Sequence, residues 1–170
     1  REAIEGTDRS GNSWKNVVVD APSTGQALQI FESAKTLSRV LSQGPVHKHI
    51  IDTLNFVFTS DFEIHLLTLP EEGPLQECLE TIERLKVLEL LPKRIWMNRV
   101  FPPEETISLQ TALKSSSLTS EVRHTIEVEI ERIKDQRELI EDFRSKIGNI
   151  ALSEIAEKKM QFDQVQGVFV

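Results

Sequence analysis

Apolar positions along the chain alternate between unbroken runs and helical spacing, and the changeovers mark its elements. Asn16–Asp20 reads Asn-Val-Val-Val-Asp, a continuous β-branched run that predicts a strand buried on both faces, as in a parallel sheet. Ala21-Pro22-Ser23-Thr24-Gly25 breaks it, with Thr24 a candidate N-cap. From Gln26 to Ser42, Ala27, Phe31, Ala34, Leu37 and Leu41 recur at helical spacing. Gly44-Pro45 ends that helix and opens another, with Val46, Ile50, Leu54 and Val57 on one face. A second strand is expected over Phe62–Thr68 and is closed by Pro70. Glu71-Glu72-Gly73-Pro74 leads into a helix with Pro74 as its first residue and a stripe of Leu75, Cys78, Leu79, Ile82, Leu85 and Leu88. Pro92 stops it, and Arg94–Phe101 predicts a third strand halted by Pro102-Pro103.

Beyond a polar stretch, Ser108–Ser120, a long helix is expected from about Glu121 to Ile147. Its Ile126, Ile133, Ile140 and Ile147 recur every seven residues, beside Val122, Ile130 and Phe143. That spacing fits a coiled-coil seam or one long helix lying on a sheet, and the sheet-covering helix is the preferred reading. Gly148 is placed to cap it, and Asn149–Leu152 and Gly167–Val170 are candidate short terminal strands. Residues 1–13, with two glycines and few apolar side chains, read as a loop or tail, and residues 14–170 as the folded part.

Strands alternating with helices define an α/β fold: a mainly parallel sheet with helices on both faces. Ligands of such sheets gather at the carboxyl ends of the strands. Those ends are Asp20–Gly25, Thr68–Gly73 and Asn98–Glu104, and each is polar or acidic where the strand bodies are apolar.

Composition narrows the function. With 20 Lys and Arg against 27 Asp and Glu, the net charge is −7, which argues against a nucleic-acid or anionic-membrane surface. No apolar run approaches the ~20 residues of a membrane span, so no direct membrane insertion is expected. The single cysteine, Cys78, excludes an internal disulfide and fits a reducing, cytoplasmic compartment. The chain starts at Arg1 and its first methionine is Met97, so a piece of something longer is expected.

Asp20 closing an apolar run before a Gly-containing turn is the most specific feature. In nucleotide hydrolases such an Asp holds Mg²⁺, usually through water, because a hard cation prefers carboxylate oxygen. A capping acid at a plain strand-to-helix turn is the alternative. Val17 to Leu28, running Val-Val-Val-Asp-Ala-Pro-Ser-Thr-Gly-Gln-Ala-Leu, resembles the signature of the ArsA-type ATPases, the arsenical-pump and tail-anchored-protein-targeting enzymes. The likeness continues through Leu67-Thr68-Leu69-Pro70-Glu71-Glu72 and Trp96-Met97-Asn98-Arg99-Val100-Phe101-Pro102-Pro103-Glu104, closest to the bacterial anion-transporting branch.

The resemblance implies the C-terminal part of a P-loop NTPase-like layered domain that uses ATP and Mg²⁺. It implies Asp20 as the metal anchor, with Pro22, Thr24 and Gly25 shaping a switch that moves on hydrolysis. Asn98 would read adenine with its amide, which both donates and accepts, and Pro22 and Pro102 would join it among the nucleotide-binding residues. It also implies a homodimer or a paralogous partner subunit. As a turn residue, Asn98 would need no ligand.

The departures matter as much. Gln26 stands where the family often carries His, and no Gly-x-x-x-x-Gly-Lys-Ser/Thr occurs. Gly6 to Ser13 has the glycine spacing, but Asn12 holds the lysine position, so it makes a poor phosphate cradle and the true one is expected upstream. One thiol cannot capture arsenite and no Cys-x-x-Cys exists for a bridging zinc; two methionines in the whole chain do not furnish an adaptable client groove. His47 and His49, two apart, diverge on a helix, and His65 and His124 read as packing or surface residues. A non-catalytic interaction module, using the long helix to bind a partner, is the other functional reading.

Overall fold

The computed structural model describes residues 16–21, 24–59, 61–116 and 118–157. Helix α1 spans Thr24–Val40 and α2 Pro45–Val57; then come β1 His65–Thr68, α3 Glu72–Val87, β2 Arg94–Val100, α4 Pro103–Leu113, α5 Ser120–Lys146 and β3 Ala151–Ala156. The chain is an α/β protein with a parallel sheet in the order β1-β2-β3. It divides into two units, Arg1–Glu63 with Arg84–Leu91, and Ile64–Glu83 with Pro92–Val170.

In the sheet unit, parallel register sets Leu66 beside Ile95 and Leu152, and Thr68 beside Met97 and Glu154. Side chains level with one another share a face. Ile95 and Met97 are wholly buried, packed with Leu75, Cys78 and Ile82 of α3 and with Ile140 and Phe143 of α5. A chain that steps always to the next strand, with right-handed crossovers, brings its helices to one face; α3 and α5 accordingly share this one. The opposite face carries Leu67, 70% exposed, and a polar stack: Trp96 Nε1 donates to His65 Nδ1 at 3.0 Å, and the Arg94 guanidinium lies 5.3 Å from the Trp96 ring centre.

Helix α5 settles the seven-residue repeat in favour of the sheet for its second half. Ile133, Ile140, Phe143 and Ile147 are buried, whereas Val122 and Val128 are exposed. At ~1.5 Å per residue this helix runs to roughly 40 Å, while β2 reaches only about 23 Å, so its first turns extend past the sheet and meet α4 instead. The Thr119 hydroxyl caps its start, accepting from the Val122 amide, and Gly148 at φ 62° follows its end.

In the first unit, Gly44 takes φ 105° ahead of Pro45 at the start of α2, a conformation open to glycine. Phe31 and Phe56 meet Phe62 edge-on, with centroids 6.2 and 5.9 Å apart, and Leu28 is buried.

Two expectations are corrected. Asn16–Asp20 is not a strand: all of it is exposed, Val18 at 93% and Val19 at 79%. A run buried on both faces needs strands alongside to take its amides and carbonyls, and the three described strands pair only with one another. Within Ser108–Ser120, the first part belongs to α4, opened by Pro103 at its first turn with Glu104 and Glu105 there. The candidate strand Gly167–Val170, the loop or tail 1–13 and the glycine spacing of Gly6 to Ser13 lie outside the described residues.

Candidate functional site

The carboxyl edge of the sheet gathers the ends of β1, β2 and β3, and β2 carries the irregularity there. Its register with β3 shifts between Met97 and Val100, and Arg99 adopts φ 60°. A left-handed conformation in a residue with a side chain persists only where its surroundings enforce it. Four contacts do so. The Arg99 amide donates to Asn98 Oδ1 at 2.9 Å, and the Phe101 amide donates to Gln136 Oε1 at 2.8 Å. Gln136 Nε2 donates to the Arg99 carbonyl at 3.3 Å, and Arg137 donates to the Phe101 carbonyl.

Arg137 is itself held by Glu154 of β3, Nη1 to Oε2 at 2.9 Å, while Arg144 takes the other oxygen at 2.9 Å. The Arg132 guanidinium lies 4.9 Å from the centre of the buried Phe101 ring. The edge is therefore a braced turn whose exposed tip is Arg99, with half-buried Asn98 leading into it. On the next strand, buried Thr68 donates to the Pro74 carbonyl at 3.1 Å and pins the start of α3; Glu71 and Glu72 are exposed. Pro102 is half-buried and holds the position before the first turn of α4.

Of the residues singled out from sequence, Asn98 and Pro102 stand together at this edge. Asp20 belongs to the first unit, in an exposed segment of no regular structure. Thr24 opens α1, and Gly25 follows within it, exposed and with open space where a Cβ would stand, so nothing in its surroundings requires glycine. Pro22 lies outside the described residues. The residues missed were Gln136, Arg137 and Glu154, which carry no local motif.

Among the described residues no three of His, Cys, Asp and Glu converge as a metal cluster. Burial, with Glu77 adding to it, pushes the Cys78 thiol up to about 11. A thiol so protonated is a packing group rather than a nucleophile. No described helix is long and apolar enough to cross a membrane.

What the edge defines is a parallel α/β sheet with a braced turn at its carboxyl end. Relatives give it a direction. The chain is 37% identical over 86 residues to ATPase BagA of Mycobacterium tuberculosis, and equally to Mb3704 of Mycobacterium bovis, named as a provisional ATPase. The match takes in 51% of this chain and 25% of each relative, so the chain spans only a fraction of their length. No known family profile matches the chain.

Proposed function

We propose that this chain is the C-terminal part of an ArsA-type ATPase domain, of the anion-transporting kind, that couples ATP binding and hydrolysis to a conformational switch. The likeness to ATPase-named proteins at 37% identity over half the chain carries the reading. The braced turn at Asn98 is consistent with it, since a base reader must be held in one pose.

In this reading Asn98 meets the adenine edge and Pro102 belongs with it to the nucleotide site. Asp20 holds Mg²⁺ through water, and the segment with Pro22, Thr24 and Gly25 is the switch. The ion would supply positive charge against the phosphates. With no Gly-x-x-x-x-Gly-Lys-Ser/Thr in its 170 residues, the chain by itself binds ATP feebly and hydrolyses nothing. The working form pairs two such domains, in a homodimer or with a paralogous subunit, in the cytoplasm.

The test is ATP turnover by the full-length protein against its Asp20→Ala and Asn98→Ala variants. Asp20→Ala is expected to lower kcat by about a hundredfold or more, and Asn98→Ala to raise KM. Undiminished turnover in Asp20→Ala, or measurable turnover by residues 1–170 alone, overturns the assignment.

A further inference from the structure

We infer that Gln136 is a positioning residue for the base-reading amide, an inference that rests on the nucleotide reading of Asn98. Its carboxamide spans the turn. One end accepts from the Phe101 amide at 2.8 Å and the other donates to the Arg99 carbonyl at 3.3 Å. It thereby grips the backbone on both sides of the Arg99–Val100–Phe101 path, where Arg99 sits at φ 60°.

That grip reaches Asn98 through one hydrogen bond. The Arg99 amide can donate to Asn98 Oδ1, at 2.9 Å, only while the peptide between them keeps this orientation. The same bond sets which way the carboxamide faces. Oδ1 is turned to the chain, and the NH₂ is the end left to meet a ligand. The edge therefore offers a donor, and its complement on adenine is a ring nitrogen, the only acceptor that base presents.

Gln136 is well placed to serve as a fixed clamp. Ile133, about one turn before Gln136, and Ile140, about one turn after it, are both buried, and Ile140 is wholly so. The neighbouring Arg137 is tied to Glu154 and to the Phe101 carbonyl. Gln136 gives up rotamer freedom in gripping the turn, and its two hydrogen bonds to the backbone offset that cost. Nothing in the sequence near Asn98 announces it, since Gln136 stands 35 residues beyond Phe101.

The test uses the full-length protein and two probes, ATP and inorganic tripolyphosphate, the second lacking a base. Gln136→Met keeps length and shape but cannot hydrogen-bond; Gln136→Glu still accepts from the Phe101 amide. Titration calorimetry is expected to show Asn98→Ala and Gln136→Met each weakening ATP by about tenfold, the loss of one or two hydrogen bonds. Tripolyphosphate affinity should not change, and Gln136→Glu should recover part of the ATP loss. If Gln136→Met weakens both probes alike, its role is structural only and the inference fails. If Asn98→Ala weakens ATP while Gln136→Met does not, the clamp fails and the nucleotide reading stands. If Asn98→Ala leaves ATP unaffected, the base-reading role falls and takes the clamp with it.

Discussion

Helix α2 of the first unit and helices α3 and α5 on the sheet carry similar apolar stripes, yet they bury them very differently. Around β2 the side chains of Ile95, Met97 and Ile140 lose all contact with water. In the first unit, α2 buries no residue fully, although Val46, Ile50, Leu54 and Val57 are spaced as a stripe. A stripe on a helix removes water only from what it faces, and a sheet offers a broad flat partner where another helix offers a narrow one. Apolar periodicity thus predicts that a helix forms, and the partner surface decides how deeply it is buried. Among the described residues each unit also holds one residue other than glycine in the left-handed region, Glu89 in the first and Arg99 in the second. Their surroundings differ as much as the cores do.

Truncation gives the sharpest contrast. Phe143→Ala should cost about 3–5 kcal/mol, because a close-packed cluster collapses only partly onto the void. Ile50→Ala, on a half-buried face of α2, should cost about 1 kcal/mol. Chemical denaturation of both variants measures this, and equal losses would break the distinction between the units.

Titration probes the same core without mutation. The Cys78 thiol is raised to about 11 in the folded chain, chiefly by burial. Between the ordinary thiol value and that one, the folded state keeps a proton that the unfolded state has lost. Its contribution is therefore complete below about pH 9 and drains away as pH rises towards 11, by roughly 2–3 kcal/mol in all. Cys78→Ala should flatten that part of the stability profile, and native Cys78 should resist alkylation at pH 8.

These contrasts show what the sequence made legible. The stripe of α3, the apolar half of α5 and the run of β2 were readable, because each faces one continuous apolar surface and shows its period plainly. Helix α4 escaped because it buries nothing: Ile107 is exposed and no stripe exists to be seen. Asn16–Asp20 misled in the opposite sense, since a β-branched run records what its neighbours would need and not whether they pair with it. Asn98, at a strand end, was singled out only through the family resemblance. Gln136 and Arg137 were not, because a helix and a strand far apart in sequence meet only once the sheet is packed.

The smallest expected effect separates the two left-handed residues. Leu90 donates its amide to the Leu85 carbonyl at 2.9 Å, and Glu89 donates to that of Lys86 at 2.9 Å. This is the bond pair of a Schellman turn closing α3, a setting in which glycine is the usual occupant of the left-handed position. Glu89→Gly removes the crowding of Cβ at φ 63°, and the greater freedom of glycine in the unfolded chain offsets only part of the gain. The variant should be more stable by about 0.5–1 kcal/mol, seen as a higher denaturation midpoint, with ATP affinity unchanged. Arg99→Gly relieves the same crowding at φ 60° but frees the turn that Gln136 and Asn98 brace. It should match Glu89→Gly in stability and lose ATP affinity. If the two variants behave alike in both measurements, Arg99 is merely another tolerated turn residue. If they part on affinity alone, its conformation belongs to the site.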